Sequence, residues 1–193
     1  QVVKYRQRDG WSHKDLLILA HPTPITPVQA AIFDHIVHDA ESEELPTVMQ
    51  GYLLAQRAEK VEEVVSLIQA FGLQREMIPT QFLKEPAIWE ALLPNLPLTA
   101  MIRNLGNMTK IGLLTAGSAT TQLVKQTLQD ADALRKSRVH PIQVLSALLT
   151  YKRGAGVRGG GEWTPVTSLV DALDAGFYQA FGNVEPSGAR TLL

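Results

Sequence analysis

An all-α fold, an α-solenoid of antiparallel helix pairs, is predicted by three features of this 193-residue sequence. Apolar residues recur at helical spacing almost everywhere. Proline, glycine and capping residues punctuate that pattern into short helices. The pair starts, near 12, 46, 86 and 118, recur at intervals of 34, 40 and 32 residues.

Each element follows from its own signals. Ser12 with Asp15 three residues on is a capping-box start for a helix that buries Leu16, Leu17 and Leu19, and His21-Pro22 with Pro24 ends it. Thr26-Pro27, with Gln29 three past the cap, opens a second helix whose Val28, Ile32 and Ile36 fall one turn apart. Helices over 47–57 and 61–70 come next, the latter with Val61, Val64, Val65 and Ile68 on one face and Gly72 as its stop. Short helices follow over 86–93 and 98–107, the second carrying Leu98, Met101, Ile102 and Leu105. A helix over about 119–129 leads to a basic turn, Arg135, Lys136 and Arg138. Pro141 then starts a helix with Ile142, Val144, Leu145, Leu148 and Leu149, and the last runs from Pro165 to about Phe181, burying Val166, Leu169, Val170, Leu173, Phe177 and Phe181. The irregular repeat interval fits HEAT-like pairs better than a four-helix bundle. Only 154–163 reads as a flexible loop.

Composition narrows the chemistry. With 45% apolar residues the chain can bury a core, and without cysteine it has no disulfide framework, thiolate zinc site or cysteine nucleophile. That favours a reducing, intracellular setting. No run reaches the roughly 18 apolar residues of a membrane span. Gln1 at the start, and Thr191, Leu192 and Leu193 as an apolar ending cut short, point to a piece of a larger protein.

The net charge of −1 conceals a separation of sign. Residues 1–90 sum to −5, 91–161 to +7 and 162–193 to −3. Within the first block an acidic stretch over 34–63 follows the basic start Lys4, Arg6, Arg8 and Lys14. Such separation can bring a polyanion to one face of a nearly neutral protein, although solvated helix faces give the same pattern.

Enzyme motifs do not assemble. Residues 154–159 satisfy GxGxxG, but a helix precedes them and no acidic ribose reader follows at the right distance. His35 and His38 lie three apart beside Asp34, Asp39 and Glu41 with no third metal ligand fixed, so polar surface histidines explain them. Ser12, His13 and Asp15 are too close along a helix start to form a hydrolase triad. Capping accounts for Ser12 and Asp15.

Three basic clusters are more informative. Around Lys4, Arg6, Arg8 and Lys14, the cations stand with Tyr5, Trp11 and His13, which can stack on or hydrogen-bond to unpaired bases, at a helix N-terminus. Taken alone, Trp11 is more often a packing residue. Arg103 and Asn107 are one turn apart on a helix, with Asn104 between them and Lys110 close after. Arg135, Lys136, Arg138, His140, Lys152, Arg153 and Arg158 form the third cluster, with no acid between Asp132 and Glu162. Clusters on successive helix pairs suggest one binding surface. A helical-repeat scaffold that binds protein through the acidic 34–63 face or the hairpin grooves, without RNA, is the alternative.

Four stretches carry a resemblance: 4–17 (KYRQRDGWSHKDLL), 96–109 (LPLTAMIRNLGNMT), 138–145 (RVHPIQVL) and 171–186 (DALDAGFYQAFGNVEP). Together they closely resemble the TROVE domain of the Ro autoantigen family. The resemblance implies a ring of HEAT-like repeats that binds small noncoding Y RNAs on its outer face and takes single-stranded ends of misfolded RNAs through a central hole. Residues 1–183 would be the C-terminal portion of that domain, and 184–193 a linker and the start of a von Willebrand factor A-type domain. The family's Asp-x-Ser-x-Ser metal motif lies in that second domain and is missing here, so no cofactor is expected. Repeats that would close the ring are missing as well. By the same resemblance the expected partners are Y RNA, misfolded noncoding RNA and an exoribonuclease such as polynucleotide phosphorylase, in the cytoplasm and away from membranes, in a protein that is not an enzyme. The RNA-binding residues it implies are Lys4, Arg6, Arg8, Trp11, His13, Lys14, Arg103, Asn104, Asn107, Lys110, Arg138, His140, Lys152 and Arg158.

Overall fold

A computed structural model describes residues 2–4, 7–156 and 161–184 of the chain. Helices dominate, and the chain divides into two compact units, 1–95 and 96–193.

The first unit opens with a two-stranded hairpin, β1 (Gln7–Arg8) and β2 (Trp11–Ser12), which helical periodicity does not announce although Asp9-Gly10 is a hairpin-turn pair. Its turn residues Asp9 and Gly10 both have positive φ, 52° and 85°, the pairing that matches the twist of a tight hairpin. Helices α1 (His13–Ala20), α2 (Pro27–His38), α3 (Thr47–Arg57), α4 (Val61–Phe71) and α5 (Pro86–Leu92) follow, with 3-10 turns at Arg75–Met77, Thr80–Lys84 and Leu93–Asn95. The capping box is present: the Asp15 amide donates to the Ser12 hydroxyl, and the Ser12 amide donates to the Asp15 carboxylate. Thr26 caps α2 with its hydroxyl, which accepts from the Gln29 backbone amide. Gly72 closes α4 at φ 63°. Met49, Tyr52, Ala55, Val64, Ile68 and Ile88 form the middle of this unit's core.

One expectation fails in α1. Leu16 and Leu19 are 62% and 67% exposed, along with Ile18, and no residue of this helix is buried. An eight-residue helix packed mainly on α2 covers only a narrow stripe, and Leu17 takes it.

The second unit holds α6 (Leu98–Lys110), α7 (Ala119–Gln129), α8 (Ala131–Ser137), α9 (Pro141–Arg153) and α10 (Thr167–Ala180), then a 3-10 turn at Phe181–Asn183. Helix α10 lies at its centre, against α7, α8 and α9. Its Gly176 stands where a Cβ would come 2.8 Å from the Leu128 carbonyl oxygen, which lets α10 approach α7. Leu98, Met101, Ile102 and Leu105 of α6 are all buried, as their spacing predicts, and Met108 joins them.

Four details depart from expectation. Helix α6 runs one turn further, to Lys110. The basic stretch at 135–138 is not a turn but the end of α8, because the Asp130 carboxylate caps it by accepting from the Asp132 and Ala133 amides; Arg138 is the left-handed cap. Phe181 is 53% exposed, since α10 ends before it and the tighter 3-10 geometry swings it outward. Ile142 and Leu149 of α9 are also exposed, on the side away from α10. The last residues of the chain, 185–193, with most of the expected A-type segment, fall outside the described residues. Among the described residues no helix is long and apolar enough to cross a membrane.

Candidate nucleic-acid interface

The N-terminal cluster is built on the hairpin and the start of α1. Because Arg8 and Trp11 are directly paired across the two strands, a guanidinium and an indole share one face. Both are open to solvent: the Arg8 side chain is 89% exposed and Trp11 is 61% exposed. Trp11 is therefore not a packing residue. Arg8 makes only a solvent-exposed ion pair with Asp9, at 3.6 Å. His13 opens α1 and lines a shallow pocket of about 330 Å³ with His35, Tyr52 and Gln56.

The two lysines of this cluster do different work. Lys4 Nζ donates to Gln74 Oε1 at 2.6 Å, and Lys14 Nζ donates to the Val37 carbonyl at 2.8 Å. They tie the hairpin region and α1 to the rest of the unit. Tyr5 and Arg6 lie outside the described residues. The Asp15 carboxyl is held below its ordinary value chiefly by the Ser12 hydroxyl, then by the Ser12 amide, so it is a charged cap and not a proton-transfer group.

In the second unit α6 and α9 face each other across a groove of about 590 Å³. Thr99, Arg103 and Asn107, four apart along α6, form one wall. Gln143, Ser146 and Thr150 form a matching polar stripe on α9. Sequence reasoning found Arg103 and Asn107 but missed this second stripe. The three-and-four spacing of small polar residues along an otherwise apolar helix was the available signal, and it carries no charge to draw attention. Trp163 and Tyr151 close one end, their rings stacked with centroids 6.1 Å apart.

The remaining predicted residues are distributed around this unit. Asn104 turns away, its amide donating to the Ala100 carbonyl at 2.7 Å. Lys110 reaches across Gly161, whose missing Cβ gives the ammonium its place. His140 caps α9, Nδ1 accepting from the Ile142 amide at 3.2 Å. Arg138 and Lys152 are exposed, and Arg153 donates from its guanidinium to the Ala155 carbonyl. Arg158 falls outside the described residues. Thus the first basic cluster belongs to one unit and the other two to the second.

Among the described residues no group of three or more His, Asp or Glu side chains could hold an ion. His35 Nδ1 contacts the Ala40 carbonyl, and His38 Nδ1 contacts the Asp34 carboxylate at 2.7 Å.

Comparison with known proteins agrees with this architecture. The TROVE domain family matches residues 72–152. Over its whole length the chain is 40% identical to a protein of Deinococcus radiodurans and 33% identical to one of Caenorhabditis elegans, both named RNA-binding protein RO60. It spans 37% of each of them. A crystal structure of the Deinococcus radiodurans Ro (Rsr) protein superimposes with a TM-score of 0.86 at 39% identity, covering 98% of this chain and 39% of that one. Helix pairs, capped starts and the matched 72–152 stretch together lead to one assignment: the chain belongs to the TROVE-domain family of Ro proteins.

Proposed function

We propose that this chain is a noncatalytic RNA-binding segment of a Ro-type protein, serving RNA quality control or processing in the cytoplasm. Its ligands are small noncoding Y RNA and the single-stranded ends of misfolded RNAs, and an exoribonuclease such as polynucleotide phosphorylase is its protein partner. The observation that carries the reading is the Arg8–Trp11 pair, a cation and an indole exposed on one face of a hairpin, in a chain whose relatives are named RNA-binding proteins. A guanidinium meets phosphate and an exposed indole stacks on an unpaired base, the combination that single-stranded RNA demands. His13 beside them adds to this set in the first unit, and Arg103, Lys110, Arg138 and Lys152 are phosphate-binding cations of the second unit, with Arg6 and Arg158 as further members by resemblance.

Binding of the chain to a structured RNA with a single-stranded 3′ tail, titrated at several salt concentrations, tests this. The reading expects a steep fall of affinity with salt and weaker binding when the tail is removed. A chain that stays helical by circular dichroism and does not bind would favour the protein scaffold, through the acidic face where Glu41 pairs with Arg57.

A further inference from the structure

Resting on that reading, we propose that the α6–α9 groove seats a single unstacked nucleotide of the RNA tail. Arg103 meets its phosphate, and the Asn107 and Gln143 amides meet the edge of its base. The groove volume of about 590 Å³ falls within the roughly 300–1,000 Å³ typical of small-molecule sites. Among the described residues no carboxylate lines it, so none of them repels an anionic group.

The state of its polar groups carries the argument further. Among the described residues, the side chains of Arg103, Asn107, Gln143, Ser146 and Thr150 have no hydrogen-bond partner in the protein. Their neighbours on the same helix behave otherwise: Asn104 bonds to the Ala100 carbonyl and Thr109 to the Leu105 carbonyl. Thus the uncharged polar side chains of α6 that stand off the groove, Asn104 and Thr109, bond within the fold, and Arg103 and Asn107, which line it, are left for a ligand.

The chemistry of the lining selects among ligands. Two amides, each able to donate and accept, match the mixed edge of a nucleobase in a way that hydroxyls or cations alone do not. Ile142, 67% exposed, offers an apolar surface for the base plane. A simple anion would leave Ile142 and both amides unused, and a duplex hides the base edges. The end wall is already fixed, because Tyr151 Oη contacts Thr109 Oγ1 at 2.9 Å and accepts from the Val166 amide at 3.2 Å. A rigid wall lowers the ordering cost of binding.

The test compares uridine 5′-monophosphate with ribose 5-phosphate on the whole chain, followed by amide chemical shifts of residues 99–110 and 141–153. The nucleotide should shift the Asn107 and Gln143 side-chain amides and bind ~10-fold more tightly than the sugar phosphate, the worth of one base contact. Ser146→Trp, at an exposed position, should fill the groove, abolish that response and weaken binding of tailed RNA, with the salt slope falling by about 0.7 as Arg103 loses its phosphate. Equal binding of the two small ligands would overturn the proposal, as would an unchanged RNA affinity in Ser146→Trp, and in either case RNA binding by the chain would still stand. If neither RNA nor nucleotide binds, both readings fall together.

Discussion

Trp163 lies directly against the backbone of Gly106: a Cβ added at 106 would stand 2.6 Å from Cη2 of the indole. The indole cannot swing aside freely, because Nε1–H donates to the Tyr151 carbonyl at 3.1 Å. Gly106 is thus required for close approach, not for an unusual backbone angle. Gly106→Ala gains about 1 kcal/mol of helix propensity but meets an overpacking cost of roughly 1–3 kcal/mol. Since the obstacle is a rigid ring, the cost should prevail and the melting temperature fall. Adding Trp163→Leu should recover part of the loss, whereas a rise in melting temperature for Gly106→Ala alone would show that the contact is loose.

Tyr151 supports the same wall from beneath. It is 2% exposed, and its hydroxyl is the acceptor for the Val166 amide just ahead of α10. Tyr151→Phe keeps the ring and leaves that amide buried without an acceptor, at a cost of about 1–3 kcal/mol. Urea denaturation should show a lower midpoint with an unchanged slope. A changed slope would mean that the substitution alters compactness and not one hydrogen bond.

What was legible in the sequence was the set of features determined by neighbours a few residues away. The Ser12–Asp15 box, Thr26–Pro27 and Gly72 marked helix ends because capping is a local hydrogen-bond requirement. Leu98, Met101, Ile102 and Leu105 announced a buried face, because that helix is covered by its unit along its length. Leu16 and Leu19 misled for the opposite reason: periodicity records which residues could be buried, and only tertiary neighbours decide which are. Charge clusters were visible, but their division of labour was not. Nothing in the sequence distinguishes Lys14, bonded to Val37, from Arg8, which faces solvent. The polar stripe of Gln143, Ser146 and Thr150 became meaningful only opposite Thr99, Arg103 and Asn107.

The tryptophans Trp11 and Trp89 should separate binding from stability. Trp89 is fully buried, with Nε1–H donating to the Leu83 carbonyl at 2.9 Å, so Trp89→Ala should cost about 3–5 kcal/mol of stability. Trp11→Ala removes a solvent-exposed ring and should leave the melting temperature unchanged. If the ring stacks on a base, RNA affinity should fall by about 1–3 kcal/mol. Thermal melts and RNA titrations of the two variants check both halves, and a destabilised Trp11→Ala would return that residue to a packing role.

Acid should loosen α1 through its cap. The Ser12 hydroxyl and amide favour the ionised Asp15 carboxylate, so its pKa in the folded chain lies below that of the unfolded chain. The stabilisation is complete above the unfolded value and is lost as pH falls through the folded one. Cα chemical shifts of residues 14–18 should therefore drift toward coil values below about pH 4. Ser12→Ala should move those shifts in the same direction at neutral pH and flatten their dependence on acid. An α1 signal indifferent to both changes would mean that the contact with α2, and not the capping box, sets the stability of this helix.

Arg103 and Asn104 are neighbours on α6 with opposite commitments, and they give the sharpest comparison for RNA binding. Arg103 is exposed at the groove, whereas the Asn104 amide is engaged by the Ala100 carbonyl. A side chain that neutralises one phosphate of a single strand contributes roughly 0.7 to the slope of log affinity against log salt. Arg103→Ala should therefore weaken RNA binding and reduce that slope by about 0.7, with helicity unchanged. Asn104→Ala removes an amide already satisfied within its helix and should leave both affinity and slope as they were. Titrations of the two variants across salt would show it, and a larger loss for Asn104→Ala than for Arg103→Ala would place the RNA on the other side of α6.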